Sequence, residues 1–88
     1  MLGPAGKLEQ IQSNKDYPID LDNLYSTIFS IHVTKTNQCN VTITTIGDTT
    51  VEFPPGSLIS GAVYHIYIKK MIFDEEKASF IGYRLLKK

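Results

Sequence analysis

The sequence predicts an all-β fold: a compact antiparallel β-sandwich or small barrel of six to seven short strands with an extended N-terminal arm. Three observations carry this. Apolar and polar residues alternate with period two through most of the chain, as in Phe29, Ile31 and Val33 against Ser30, His32 and Thr34. Turn signals punctuate these runs at short intervals, at Gly47-Asp48, Pro54-Pro55-Gly56 and Asp74-Glu75-Glu76-Lys77. No stretch repeats apolar residues at helical spacing.

The elements follow in order. Residues 1–14 carry Gly3, Pro4 and Gly6 among polar residues, and only Leu2, Leu8 and Ile11 can anchor them. They read as an extended arm or a frayed tail, and the arm is expected to dock on a neighbouring molecule. The domain proper is expected over 15–88. Lys15 to Asp20 is a short strand that Pro18 confines to an edge. Leu21 to Thr27 is a turn or a single helical turn. Ile28 to Thr34 is a strand, and Lys35 to Gln38 a polar turn. Cys39, Val41 and Ile43, then Val51 and Phe53, form two alternating runs around Gly47-Asp48, which makes a β-hairpin. The double proline and Gly56 end it. Ser57 to Ser60 is a short strand or loop. Ala62 to Phe73 is the longest apolar stretch, and its β-branched and aromatic content favours a strand. A bulge is expected at Lys69-Lys70. Ser79 to Leu86 is the last strand, with Ile81, Tyr83 and Leu85 on one face.

At 88 residues and 9.9 kDa the chain makes one domain with a thin core. Folding buries roughly 64% of the unfolded surface at this size. One cysteine, Cys39, excludes an intrachain disulfide. Oligomerisation is therefore the expected extra source of stability. Nine basic residues balance nine acidic ones, so no strong field draws the chain to nucleic acid. No apolar run reaches the ~20 residues of a spanning helix. No export signal opens the chain, and Asn40-Val41-Thr42 is expected to be a chance match to the glycosylation sequon.

Chemistry-bearing residues are few. His32 and His65 are the two imidazoles, and a two-histidine metal site lacks a third ligand at zinc spacing. Cys39 in an alternating strand reads as a small buried hydrophobe. Asp74 to Glu76 lack the spacing of a calcium loop. No phosphate loop or nucleophile elbow is present. The expectation is a non-enzymatic protein without cofactor or metal. Tyr64, Tyr67 and Tyr83, with Phe80, crowd the last two predicted strands. Tyrosine gives large contact area at low entropic cost, so these four, together with Leu2, Leu8 and Ile11 of the arm, are the candidate interface.

One further pattern is informative. The run Asp48-Thr49-Thr50-Val51-Glu52-Phe53, the turn at Pro55-Gly56, and the alternating Val63, His65 and Tyr67 up to Lys70 and Met71 resemble the small spike-base and head-decoration proteins of tailed phages and gene transfer agents. The polar turn Asp74 to Lys77 and the strand Phe80 to Leu86 complete the pattern, and Phe29 to Val33 and Val41 to Ile43 fit its first half. The resemblance spans residues 17–86. It departs at Thr36-Asn37-Gln38, where such chains often carry Gly, and at Asp74-Glu75-Glu76, where Gly and Thr are usual. It implies a virion structural protein, assembled in the host cytoplasm, that oligomerises and contacts capsid, fibre or spike proteins without nucleic acid or membrane. The alternative is a monomeric β module that binds carbohydrate or peptide.

Overall fold

The computed structural model describes residues 6–17 and 26–85. These form eight strands and no helix: β1 (Gly6–Gln10), β2 (Lys15–Asp16), β3 (Ser30–Lys35), β4 (Val41–Thr45), β5 (Thr50–Phe53), β6 (Val63–Tyr64), β7 (Ile68–Ile72) and β8 (Ser79–Leu85). They make two four-stranded antiparallel sheets. Sheet A has the order β1-β8-β3-β6 and sheet B the order β2-β7-β4-β5. The architecture is thus a sandwich and not a closed barrel.

The connections explain the order. Among the described residues, β4–β5 is the only pair of consecutive strands that share a sheet. Its loop is a turn closed by the Asp48 amide donating to the Thr45 carbonyl, and Asp48 itself takes a left-handed φ of 64°. This is a type I turn followed by a bulge residue, and Asp tolerates that conformation better than most side chains. Every other step crosses between the sheets. Gly56 (φ 84°) and Gly61 (φ 91°) shape the crossing from β5 to β6, where only glycine adopts such angles without cost.

Two expectations change. First, Gly6–Gln10 of the predicted arm is an edge strand on the chain's own β8, with Leu8 opposite Tyr83 and Gln10 opposite Ile81. The physical reason is Gly6. An added Cβ there would lie 2.1 Å from the Tyr83 ring, so the missing side chain lets that ring lie flat over the edge. Second, the predicted strand over 62–73 is two strands in different sheets, joined by His65 to Tyr67. Both halves are β-branched, so composition does not mark the switch. The irregularity expected at Lys69-Lys70 is present: Thr44 pairs with Lys70 and Thr45 with Ile68, leaving Lys69 as the extra residue. As expected, Ile81, Tyr83 and Leu85 share one face of β8; it is the outer one, and Phe80, Gly82 and Arg84 turn inward.

Ile31, Val33 and Phe80 from sheet A meet Val41, Ile43 and Met71 from sheet B in the core, all 0–1% exposed. Phe73 and Phe80 meet edge to face at 5.1 Å, the geometry that aromatic quadrupoles favour. Arg84 reaches the inner side of the sandwich because Glu9 takes its Nε–H at 2.7 Å and the Ser26 carbonyl takes an Nη1–H at 3.2 Å. The side chain of Asn37 is fully enclosed. Its Nδ2 donates to the carbonyls of Cys39 and Pro54, and its Oδ1 accepts from the Leu58 amide, all at 2.9 Å.

Candidate interaction surface

The outward faces of the two sheets differ in chemistry. On sheet B, alternation sends Asp16, Lys70, Thr44 and Thr50 outward in one row and Ile72, Thr42 and Glu52 in the next. Lys70 and Asp16 form an ion pair at 3.5 Å, and the Thr44 and Thr50 hydroxyls lie 3.2 Å apart. This is an ordinary solvated face.

On sheet A, the register sets Leu8, Tyr83 and Ser30 side by side in one row, and Gln10, Ile81, His32 and Val63 in the next. Leu85 extends the face beyond Tyr83. Phe29 adds its ring 5.2 Å from that of Tyr83. The same alternation turns Lys7, Glu9 and Arg84 to the other side. No Asp, Glu, Lys or Arg therefore stands in these rows. Leu8 (56%), Val63 (52%) and Leu85 (46%) are exposed, while Ser30 is 6% exposed at the floor of a shallow hollow. Leu8, His32, Val63, Ile81 and Tyr83 wall this hollow of about 120 Å³. Cross-strand rows of this kind place side chains about 5 Å apart, so Leu8, Tyr83, Ile81 and Val63 frame a largely apolar surface that also carries Ser30, His32 and Gln10. Gln10 closes one end by donating to the Ser79 hydroxyl and the Phe80 carbonyl.

The residues singled out from the sequence divide among three environments. Leu8 and Tyr83 stand together on the outer face of sheet A. Tyr67, 57% exposed, lies in the link between β6 and β7, and borders a second apolar depression with Phe29, Leu85 and Ser26. Phe80 and Ile11, at 0% and 2% exposure, are enclosed between the sheets and offer nothing to a partner. Tyr64 is half-buried against the core, on the inner side opposite Ile31. Leu2 lies outside the described residues. The face also contains Val63, Ile81, Leu85 and Phe29, which sequence reasoning did not name as interface. The signal was the alternation of β8, whose set Ile81, Tyr83 and Leu85 is apolar throughout.

The groups that could do chemistry do not converge. His32 belongs to the outer face of sheet A, and His65 is exposed in the β6–β7 link. Cys39 packs half-buried against the core. Glu75 accepts from the Ser13 amide at 2.7 Å, and Asp74 accepts from the Glu76 amide at 2.9 Å, so this acidic run is a tied turn. No group of three or more metal-ligating side chains forms among the described residues.

No family model, curated protein or solved structure matches the chain.

Proposed function

We propose that the chain is a non-enzymatic virion structural protein of a tailed phage. It serves as a capsid decoration or a spike- or fibre-base adaptor, and works through protein–protein contacts. The observation that carries this reading is the outer face of sheet A. Its two central rows carry Leu8, Tyr83, Ile81 and Val63 and no Asp, Glu, Lys or Arg, on a small domain whose opposite face is more polar. Contiguous exposed apolar surface of this kind marks interaction sites. Charge depletion at its centre is the compositional mark of a protein interface. The resemblance of the run Asp48 to Phe53, the Pro55-Gly56 turn and the alternating Val63, His65 and Tyr67 to spike-base and head-decoration proteins supplies the virion setting. Capsid, fibre or spike proteins are then the partners, and the site residues are Leu8, Val63, Ile81, Tyr83 and Leu85.

The test is quantitative mass spectrometry of density-banded particles from the source culture. The expected result is this chain at a fixed ratio to the major capsid protein, retained through a high-salt wash. Its absence from intact particles overturns the virion reading.

A further inference from the structure

A hollow of about 190 Å³ lies between the segment after β1 and the turn that joins β7 to β8. Its floor is apolar, made by Ile11, Phe73 and Ala78, each 8% exposed or less. Its rim is polar and consists of Gln10, Gln12, Glu75 and Ser79. At about 30 Å³ per water, the hollow has room for roughly six waters, and so for a short alkyl chain with a polar head.

The rim is held in place and is rich in acceptors. The Ser13 amide donates to Glu75 Oε2 at 2.7 Å, and the Phe73 amide donates to Ser13 Oγ at 2.9 Å, which ties the two walls together. The Gln12 amide is anchored on the Tyr17 hydroxyl at 2.7 Å. Gln10 turns its Nε2 to the Ser79 hydroxyl and the Phe80 carbonyl, both at 3.0 Å. A carbonyl only accepts, so this contact sets the orientation of the amide and leaves Gln10 Oε1 as a spare acceptor. Glu75 Oε1 and the Gln12 side chain make no hydrogen bond with the described residues. Among the described residues, no ion pair includes Glu75. The hollow thus combines a carboxylate and two amide oxygens with an apolar floor.

We propose that this hollow binds a primary ammonium on an alkyl chain, as a lysine side chain or a free alkylamine presents it. The site goes beyond the virion reading and does not rest on it. An ammonium offers three donors, one for each of Glu75 Oε1, Gln10 Oε1 and Gln12 Oε1. A guanidinium pairs best with both oxygens of one carboxylate, and the Ser13 amide already engages one of them. An exposed ion pair contributes little by itself. The floor supplies the rest, at roughly fourfold in affinity for each methylene buried against Ile11, Phe73 and Ala78.

The probe is n-butylammonium, titrated to about 50 mM into isotope-labelled protein at neutral pH and followed by amide chemical shifts. The shifts of Gln12, Ser13, Glu75 and Ser79 should saturate with a Kd on the order of millimolar. Methylammonium keeps the charge without the chain and should bind at least about tenfold more weakly. n-Butanol keeps the chain without the charge and should lose about threefold or more. Glu75→Gln retains an oxygen for the Ser13 amide and should weaken n-butylammonium by a similar factor. If circular dichroism shows that this variant unfolds, Gln12→Lys decides, because its own ammonium competes for Glu75 and should weaken the probe. A capped lysine compared with diaminobutane separates the two sources, and the tighter of them is the form the ligand takes. A capped arginine that binds as tightly as the lysine overturns the assignment to an ammonium. Shifts that do not saturate by about 50 mM, or that centre on other residues, overturn the site. So does equal binding of n-butanol, or an unchanged affinity in the folded variant. None of these results bears on whether the chain copurifies with particles, so the site and the virion reading fail separately.

Discussion

Asn37 shows how much one polar side chain can organise. It sits in what the sequence presents as a polar turn, yet it is 1% exposed. Its side chain uses two donors and an acceptor on backbone groups of Cys39, Pro54 and Leu58. Its backbone amide and carbonyl meet Leu58 and Gly56. The loop after β3 and the loop after β5 are thereby held as one unit. Asn37→Ala leaves these groups without partners and should cost about 2–4 kcal/mol, the penalty of unmade buried hydrogen bonds. Urea unfolding measures this, and an unchanged midpoint would remove Asn37 from that role. Tyr17 gives a second residue-scale test. Burial pushes its hydroxyl above the ordinary value of 10.0, partly offset by the hydrogen bond it accepts from the Gln12 amide. The folded state therefore holds its proton longer than the unfolded chain does. The associated stability is complete below pH 10 and falls as pH rises through the folded-state value. Tyr17→Phe should flatten the decline in thermal midpoint above pH 10 relative to wild type. Parallel declines in the two proteins would show that Tyr17 is not its source.

At the scale of the element, β8 is central to sheet A and is the strand whose orientation is hardest to read. Ile81, Tyr83 and Leu85 are together more apolar than Phe80, Gly82 and Arg84, so hydropathy favours the wrong set for the core. Two long-range facts decide otherwise. Gly82 makes room for Ile11 and Ile28, whose Cδ1 atoms would lie 2.8 and 3.0 Å from a Cβ at that position. Arg84 finds Glu9 at the other end of the chain. Gly82→Val should therefore destabilise by about 1–3 kcal/mol through overpacking. Gly82→Ala should cost less, because flexible methyl ends can give way. Denaturant titration of both variants reads the difference, and equal stability of Gly82→Val and wild type would contradict the packing. By contrast, the β4–β5 hairpin was legible from strict alternation around a turn dipeptide, because every contact defining it is local. β1 was not legible, because its partner is the final strand and its own composition is that of a loose segment. Of the proposed face, Leu8 and Tyr83 were visible as candidates. Ile81 and Leu85 were legible as sharing the face of Tyr83 but not as facing outward, and Val63 was not, because only the register brings it beside His32 and Ile81.

Across the whole molecule, an apolar face on sheet A and a polar one on sheet B sit on a sandwich whose consecutive strands mostly alternate between sheets. Such alternation ties the sheets together through many crossings and leaves β1 and β8, from opposite regions of the chain, as neighbours. Gly6 lies opposite Leu85, Lys7 opposite Arg84, and Leu8 opposite Tyr83. This pairing has a mechanical consequence. Tension applied to the chain at residues 6 and 85 acts on the same end of one antiparallel ladder. It pulls the two strands apart one rung at a time instead of loading all their hydrogen bonds in shear. A domain built this way is weak when pulled by residues 6 and 85 and strong when pressed through its face. Any load on it is best transmitted across sheet A.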